Sequence, residues 1–415
     1  MNTIAQGSKK TPRVSEETSI FGTDVAKQLK ILNRCMSEEI PVEDALAAVG
    51  LTYEDLKYQY NQGLLPSRAK YHKLDEYKQK SNGIPVVSFF SGCGGLDLGF
   101  EAAGFDHLAL VEINELFCNT LRLNRPEWQI VGPPHQSGNV AEKEILKAQL
   151  IERFGIKAPF EGVFIGGPPC QPFSIAANQR FSREGDNFKR VGFAHESQGN
   201  LLFDYIWLIG EFKPRAFLIE NVSGLFDVDG GKQVGKALKL LRKMGYTVHE
   251  PLILNAANYN VPQRRERLFI VGSLGGKEFE PPSPSKLQIP CYKALEGDLE
   301  VLENHETRKH KAESLLRYMV LNYGERDQLG RVDRLDPNFP SKTVIAGGSK
   351  GGGRSHLHPF VPRTLSVRES ARLQTFPDKF VFSGSSARQF TQVGNAVPPV
   401  LAAQFARQIF TSFFE

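Results

Sequence analysis

The sequence has few cysteines, and they are not spaced for pairing or for holding a metal. Five occur in 415 residues, in odd number, and no two form a C-x-x-C pair. They are Cys35, Cys93, Cys118, Cys170 and Cys291. This pattern argues against both a disulfide framework and a zinc site. We therefore expect a reducing compartment and no bound metal.

Long apolar runs are missing as well. No stretch of about 18 apolar residues suggests a membrane span, and residues 1–10 lack the apolar core of a signal peptide. We therefore expect a soluble, intracellular protein without a membrane partner. The net charge is only +5, which permits a polyanionic partner but does not require one. The length favours two or three compact units.

One cysteine directly follows a strand-like run. Residues 162–165 (Gly-Val-Phe-Ile) are typical of a buried parallel strand, which Gly-Gly-Pro-Pro at 166–169 ends before Cys170. The carboxyl edge of such a sheet is where ligands bind, and nearby backbone N–H groups can lower the pKa of a thiol there. The alternative, judged on the thiol alone, is a packed and inert cysteine in a tight turn.

A glycine-rich turn follows the first predicted strand, residues 84–90. Glycines at 92, 94 and 95 allow a ligand to approach the backbone closely, and Glu112 ends the next predicted strand, where it could bind ribose hydroxyls. The pattern indicates a nucleotide-binding β-turn-α start. It does not distinguish a dinucleotide from S-adenosylmethionine (AdoMet).

Charged groups are predicted at the same sheet edge. The strand 216–222 carries Glu220 at its carboxyl end, and a carboxylate beside a thiol is a candidate acid. Residues 261–267 contain three arginines around one glutamate, which could form a surface ion-pair cluster or could bind phosphate or a base.

Two stretches have the composition of nucleic-acid contacts. Residues 171–199 are polar, lack periodicity and contain Arg180 and Arg183, as expected of a lid or binding loop, with plain disorder as the alternative. Residues 326–368 contain eight Lys or Arg against three Asp, together with several glycines. This basic and irregular composition is typical of a surface that reads nucleic acid.

The N-terminal residues 1–82 are expected to form a separate helical extension. Helical patterns cover about 22–35, 41–49 and 52–61, and the last two are spaced as a helix-turn-helix with Thr52 as N-cap. The nearly balanced charge lacks the basic surface of a DNA-reading helix, so an accessory or dimerisation unit is the alternative.

Taken together, the motifs resemble those of the bacterial DNA (cytosine-5)-methyltransferases. Five of them occur in the family's order across roughly 84–413. They are Phe-Ser-Gly-Cys-Gly-Gly (90–95), Gly-Pro-Pro-Cys-Gln-Pro-Phe-Ser (167–174), Glu-Asn-Val (220–222), Gln-Arg-Arg-Glu-Arg (263–267) and Gly-Asn-Ala-Val-Pro-Pro (394–399). Every motif begins after Ser81, so the extension is expected to be dispensable for methyl transfer.

The resemblance implies a role for each matching residue. Cys170 would be the nucleophile, Glu220 the acid that contacts the base, and Arg265 and Arg267 the residues that support base and acid. The implied AdoMet-binding residues are Phe90, Ser91, Gly92, Cys93, Gly94, Gly95, Glu112, Ile113, Asn139, Val140, Asn395 and Ala396. The implied DNA-binding residues are Gln171, Ser174, Arg180, Arg183, Lys350 and Arg354. Ser88 and Asn139 stand where many members have aspartate, which places the affinity for AdoMet in doubt.

The implied fold is α/β, a mostly parallel Rossmann-like sheet with helices on both faces. The expected domains are the extension (1–82), a catalytic AdoMet-binding domain (83–272), an irregular target-recognition domain (273–363) and a C-terminal part returning to the catalytic domain (364–415). The implied enzyme methylates carbon 5 of cytosine in a specific double-stranded DNA sequence by base flipping. It would act as a monomer on DNA in the bacterial cytoplasm, in epigenetic methylation or in restriction–modification with a cognate restriction endonuclease.

Three other functions are weighed against this one. Some members with the same Pro-Pro-Cys-Gln methylate tRNA, but they have a short variable region, whereas the region before residue 364 is long here. A silent DNA-binding regulator would need neither Cys170 nor Glu220. A nicotinamide dehydrogenase explains the glycine turn but explains neither Cys170 nor the basic stretch 326–368.

Overall fold

The computed structural model describes residues 23–61, 63–169, 201–225, 228–346 and 356–415. The described residues form two compact units. The unit that we call the composite unit is built from three separated stretches, within 23–66, 307–338 and 356–366. The unit that we call the sheet unit contains the described residues of 67–306, 339–346 and 367–415.

The sheet unit is organised on one sheet of eight strands, counted over the described residues. They are β1 Pro85–Phe89, β2 Asp106–Val111, β3 Ile130–Val131, β4 Phe160–Gly166, β5 Pro214–Val222, β6 Thr247–Val248, β7 Leu252–Asn255 and β8 Glu266–Ser273. The order is β3-β2-β1-β4-β5-β8-β6, and β7 also pairs with β8. Strands β1 to β5 run parallel, whereas β8 is antiparallel to β5 and to both β6 and β7.

The helices of both units are numbered together along the chain. They are α1 Thr23–Ser37, α2 Val42–Ala47, α3 Gly95–Ala102, α4 Glu115–Asn124, α5 Lys143–Phe154, α6 Leu201–Phe212, α7 Lys232–Lys243, α8 Tyr292–Leu295, α9 Ala312–Met319, α10 Val367–Leu373, α11 Ser386–Asn395 and α12 Pro399–Phe413. The composite unit contains α1, α2, α9 and a short hairpin of β9 Arg326–Asp327 and β10 Val332–Asp333.

The central strands are apolar on both faces because helices cover both. Val87 on β1, Phe164 on β4 and Phe217 on β5 are fully buried in one core together with Ile206 and Ile209 of α6. Continuous apolar runs of this kind are what a parallel sheet between two helical layers requires. This arrangement confirms the α/β fold and the strands expected near 84–90, 108–111, 162–165, 216–222 and 267–271. The strand expected over 247–254 is divided into β6 and β7.

The order in which the chain adds strands to the sheet changes direction between the neighbouring strands β1 and β4. From β1 the chain goes outward to β2 and β3 on one side, and it then continues with β4 and β5 on the other. Phe89 pairs with Gly166, which pairs in turn with Ile219. The carboxyl ends of β1, β4 and β5 therefore meet at a switch point, the position where open α/β sheets bind ligands.

The N-terminal part differs from the expected helix-turn-helix. Helices α1 and α2 form, but the stretch expected to be a helix over 52–61 makes only a 3₁₀ turn, Tyr53–Asp55. Both the backbone N–H and the hydroxyl of Thr52 donate to the Asp55 carboxylate, and the chain beyond the turn is irregular. Leu56 and Tyr58 are fully buried there. Tertiary burial of these two side chains replaces the local helix.

The contact-based units also differ from the sequence-based domain boundaries. Residues 23–61 share a compact unit with 307–338 and 356–366. Residues 273–306 and 339–346, expected in the target-recognition domain, pack in the sheet unit. Within the described residues, no helix is long and apolar enough to cross a membrane.

Helix α12 packs tightly on α3, as expected for the C-terminal helix. A Cβ placed on Gly99 would lie 2.3 Å from the Cβ of Ala402 and 2.5 Å from the Ala403 nitrogen. Gly235 on α7 is exposed and has nothing within 4 Å of such a Cβ. The two helical glycines therefore differ in whether a methyl group can be accommodated.

We expect Gly99→Ala and Gly235→Ala to change stability in opposite directions. Alanine favours a helix over glycine by about 0.5–1 kcal/mol, so Gly235→Ala should raise the midpoint of thermal unfolding slightly. Gly99→Ala should lower it, since α3 and α12 must move apart and overpacking costs about 1–3 kcal/mol. Differential scanning calorimetry of the full chain measures both. A stabilised Gly99→Ala protein would contradict the close packing of the two helices.

Candidate active site

A buried carboxylate lies at the carboxyl end of β5. Glu220 is 9% exposed, and its Oε1 is 3.0 Å from Nε of Arg267 on β8. The antiparallel register of these strands pairs Val222 with Arg267 and Glu220 with Phe269, so the two charged side chains come from neighbouring positions. The structure thus brings together two of the residues that the sequence predicted as catalytic.

Burial has the larger effect on the protonation of Glu220. It raises the pKa of this carboxyl above its ordinary value, while the charges of Arg267 and Arg265 act in the opposite direction. A glutamate with a raised pKa keeps its proton at a pH where an exposed one has lost it. The site can therefore provide an acid.

The chain leading to Cys170 is fixed against this carboxylate. Cys170 itself lies outside the described residues. Gly167 is so close to Glu220 that an added Cβ would lie 2.9 Å from Oε2, and the Asn221 side chain donates a hydrogen bond of 3.0 Å to the carbonyl of Pro168. Asn221 was not predicted as a site residue, although the Glu-Asn-Val motif contains it.

Three of the other thiols are poorly suited to nucleophilic attack. Burial raises the pKa of Cys35, and it raises the pKa of Cys93 and of Cys118 further, for Cys118 to about 12. A high pKa leaves little of the reactive thiolate at neutral pH. These thiols behave as small apolar groups of the core.

Arg265 has a different environment from Arg267. Its side chain is 1% exposed, and Nη1 and Nη2 donate to the carbonyls of Val344 (3.3 Å) and Gly394 (2.8 Å). Its Nε has no partner among the described residues, and burial holds its pKa well below the ordinary value. Arg265 therefore joins the end of the 339–346 stretch to the C-terminal motif beside the acid.

A second carboxylate organises the glycine turn after β1. Glu112 at the end of β2 is 6% exposed and accepts hydrogen bonds of 2.7 Å from the backbone N–H groups of Gly92 and Asn114. Burial raises its pKa. Phe90, Gly92 and Gly94 all have positive φ, which bends the turn toward Glu112. The carboxylate expected to bind ribose thus lies on the turn expected to bind AdoMet.

The next loop passes directly over Glu112. A Cβ on Gly132 or on Gly138 would lie about 2 Å from the Glu112 carbonyl oxygen, at 2.2 and 2.1 Å. Asn139 and Val140 directly follow Gly138 in the chain, so this close approach brings them near Glu112. The Asn139 amide oxygen accepts from Ala141 N–H at 3.1 Å. Ile113 is 57% exposed, which leaves an apolar surface beside Glu112.

The C-terminal motif packs on the same turn. A Cβ on Gly95 would lie 2.3 Å from the Val397 carbonyl and 3.0 Å from the Ala396 Cβ. The Cys93 thiol donates to the Gln392 carbonyl at 3.4 Å, and Asn395 is exposed. The predicted AdoMet-binding residues from four separate stretches of the chain therefore converge, and an exposed apolar side chain beside a carboxylate and closely packed backbone suits a nucleoside.

Ser88, one of the two departures from the family pattern, is buried on β1. Its hydroxyl accepts a hydrogen bond of 3.0 Å from Ser91 on the glycine turn. The predicted DNA-binding residues Gln171, Ser174, Arg180, Arg183, Lys350 and Arg354 lie outside the described residues.

The fold and this site define a methyltransferase-type α/β enzyme, and comparison with known proteins gives the family. Residues 84–411 match the model of the C-5 cytosine-specific DNA methylases. The chain is 32% identical over 366 residues to the type II methyltransferase M.Eco47II of Escherichia coli, with 81% of each chain covered. It is 34% identical over 359 residues to M.PspPI of Psychrobacter sp. (strain TA137), with 80% of each covered.

Comparison with solved structures also finds methyltransferases. A prophage-encoded E. coli protein described as a DNA modification methyltransferase matches with 26% identity and a TM-score of 0.64, over 80% of this chain and 100% of that chain. The S. pombe Dnmt2 methyltransferase, at 17% identity and a TM-score of 0.53 over 80% of this chain and 99% of that chain, shares the fold. The chain belongs to the C-5 cytosine-specific DNA methylase family and is a DNA (cytosine-5)-methyltransferase; AdoMet is the methyl donor of such enzymes.

We expect Gly138→Ala to weaken AdoMet binding, because its methyl group would collide with the Glu112 carbonyl and push the carboxylate from its place. Gly155 is the matched control. It has nearly the same φ (64° against 63°) and nothing within 4 Å of an added Cβ. Both variants should lose about 1–2 kcal/mol of folding stability, because alanine disfavours the left-handed backbone conformation. Only Gly138→Ala should raise the Kd for AdoMet, measured by calorimetry. Equal Kd values in the two variants would contradict this geometry.

Proposed function

We propose that this enzyme methylates carbon 5 of a cytosine in a specific double-stranded DNA sequence through a covalent adduct of Cys170. One observation carries the proposal: the buried acid Glu220, paired with Arg267, lies against Gly167, three residues before Cys170. A thiol that follows, three residues later in the chain, a glycine in contact with a buried acid suits a reaction in which one end of an aromatic ring is attacked while another is protonated.

The proposed chemistry begins at the pyrimidine ring. The Cys170 thiolate forms a bond to carbon 6 while Glu220 gives its proton to the ring nitrogen N3, so that carbon 5 becomes a nucleophilic enamine carbon. AdoMet would supply an electrophilic methyl group: carbon 5 bonds to the methyl carbon as the bond from that carbon to the sulfonium sulfur breaks, and the electron pair stays on sulfur. A base then removes the carbon-5 proton, the electron pair restores the C5–C6 double bond, and the thiolate leaves. The N3 proton returns to Glu220.

Arg267 and Asn221 support this chemistry without reacting. Arg267 orients the Glu220 carboxyl through the 3.0 Å contact, and Asn221 fixes the carbonyl of Pro168. The family match supports Glu112, Ile113, Asn139, Val140, Asn395, Ala396 and residues 90–95 as the AdoMet site, and the convergence of these residues is consistent with it.

Carbon 5 and carbon 6 are inaccessible inside a duplex, so the cytosine must be flipped out of the helix. We assign DNA contacts to Gln171, Ser174, Arg180 and Arg183 after the nucleophile, and to Lys350 and Arg354 in the basic stretch. The matched relatives are type II methyltransferases. Their type supports a role in restriction–modification, with a cognate endonuclease as functional partner. We further propose that the enzyme acts as a monomer on DNA in a bacterial cytoplasm.

We expect the enzyme to remain covalently bound to duplex DNA that contains 5-fluorocytosine at its target. Fluorine cannot leave as a proton does, so the adduct should survive denaturation, should require AdoMet, and should be seen as a shifted band in a denaturing gel. Cys170→Ser should abolish it, because a hydroxyl is a much weaker nucleophile at neutral pH. Glu220→Gln should slow it strongly, since an amide cannot deliver the proton.

Cys291→Ser is the control for loss of a thiol, because Cys291 is fully buried and lies outside all five motifs. This variant should form the adduct as the wild-type enzyme does. An adduct that persists in Cys170→Ser would assign the nucleophile elsewhere, and one that forms equally well without AdoMet would contradict the proposed order of steps.

The rate of adduct formation should also depend on the pKa of Glu220. The acid form is the reactive one, so the rate contributed by Glu220 is present below its raised pKa and is lost as the pH rises through it. Arg267 lowers this pKa, so Arg267→Gln should move the alkaline limb of the single-turnover pH profile to higher pH while reducing the maximum. A limb that moves to lower pH would argue against Glu220 as the acid.

A further inference from the structure

Residues 23–61 lie outside the matched family region, which begins at residue 84. They are nevertheless half of the composite unit. From α1 and α2, Val25, Leu32 and Leu46 pack in one buried cluster with Leu315 and Met319 of α9. Without the N-terminal segment the apolar face of α9 would be exposed. The segment is therefore part of this unit's core and not an appendage.

A fully buried arginine extends this connection to the β9–β10 hairpin. The guanidinium of Arg334 lies between the rings of Tyr58 and Tyr323, 3.5 and 4.2 Å from the ring centroids. It donates to the carbonyls of Tyr60 (2.6 Å), Leu321 (2.7 Å) and Pro359 (2.7 Å), and to the side chain of Asn61. A single side chain thus joins all three stretches of the composite unit.

The backbone of Arg334 belongs to the base of that hairpin. Its N–H donates to the Glu325 carbonyl at 2.8 Å, and its carbonyl accepts from Gly324 at 2.9 Å. Beyond this base the hairpin exposes Arg326, Gln328 and Arg331. A two-stranded ribbon fits the DNA major groove, where arginine pairs with guanine and glutamine with adenine. The hairpin also lies in the stretch with eight basic and three acidic residues, 326–368.

The N-terminal segment also fixes the third stretch. Both carboxylate oxygens of Glu54 contact the Arg363 guanidinium, at 2.6 Å to Nε and 3.0 Å to Nη2, and the Arg363 side chain is 3% exposed. The Tyr58 hydroxyl donates to the His358 carbonyl at 2.8 Å. Bidentate contacts of this kind set orientation as well as proximity.

We propose that residues 52–61 of the N-terminal segment position the 325–334 hairpin for reading DNA, and that these residues thereby help to determine target-sequence selectivity. The inference rests on the proposed function, since it assumes that the enzyme selects a sequence. Tyr58 and Glu54 are positioning residues, whereas Arg326, Gln328 and Arg331 are the side chains that touch bases. Removing residues 1–80 would remove both positioning residues, so this unit predicts altered target selectivity in the truncated enzyme, whereas the motifs alone predict only that methyl transfer persists.

The test uses the full chain and a duplex library with randomised sequence, read by bisulfite sequencing after methylation. Tyr58→Ala should lose discrimination at particular base positions, by about tenfold or more at each, which corresponds to one lost bidentate base contact. Arg331→Ala or Gln328→Ala should lose discrimination at one or more of the same positions. Tyr58→Phe keeps the ring over Arg334 and should keep most of the selectivity. AdoMet affinity should stay unchanged in all four.

A charge reversal tests the same role without removing an aromatic ring from the core. Glu54→Arg should broaden the set of methylated sites, and adding Arg363→Glu should restore part of the selectivity. Glu38→Arg is the matched control, because Glu38 makes an exposed ion pair with Arg34, at 2.9 Å, on the surface of the same segment. It should leave selectivity as it is.

The two proposals fail in different assays. Absence of a Cys170 adduct on 5-fluorocytosine DNA overturns the proposed chemistry. An unchanged target profile in both Tyr58→Ala and Glu54→Arg, in an enzyme that forms the adduct, overturns the positioning role. A profile that Arg331→Ala and Gln328→Ala leave unchanged overturns the assignment of the hairpin as the reading element.

Discussion

The pairing of Glu220 with Arg267 is the interaction on which the active edge depends. A carboxylate at 9% exposure is costly to ionise unless a positive group faces it. The antiparallel strand β8 supplies that group at 3.0 Å, in a sheet whose strands β1 to β5 are parallel. Reversing one strand places the arginine motif at the edge where the parallel strands end. The balance between burial and the arginine charge leaves an acid that can still be protonated.

Much of this edge could be predicted from the sequence because three of the motifs, 90–95, 167–174 and 220–222, lie at the carboxyl end of an apolar strand. Parallel strands end at one edge, so Gly166, Glu220 and the 90–95 turn had to meet there. The continuous apolar runs of β1, β4 and β5 identify them as central strands covered on both faces. The convergence of the C-terminal motif on Gly95 could be expected only from the family resemblance, since 300 residues separate them in the chain and no local pattern links them.

The composite unit could not be predicted in this way. Thr52 followed by Asp55 has the local pattern of a helix start, and the structure uses it for a single 3₁₀ turn. What decides the conformation beyond it is contact with residues some 270 positions away, where Tyr58 and Tyr60 meet Arg334. The charge composition of residues 1–82 did not indicate this role either. These residues are nearly neutral, whereas the stretch that they contact, 326–368, is basic.

Arg265 and Arg334 show two uses of the same buried group. Each is desolvated, each has its pKa lowered by burial, and each donates to backbone carbonyls contributed by distant stretches. A guanidinium can do this because its planar fork carries five donors and remains charged after desolvation. Arg265 joins residues 344 and 394 beside the acid, in the sheet unit. Arg334 joins three stretches of the composite unit below an exposed hairpin. In both units, therefore, a buried arginine that does not itself reach the surface joins the stretches that carry the surface for which we propose a function.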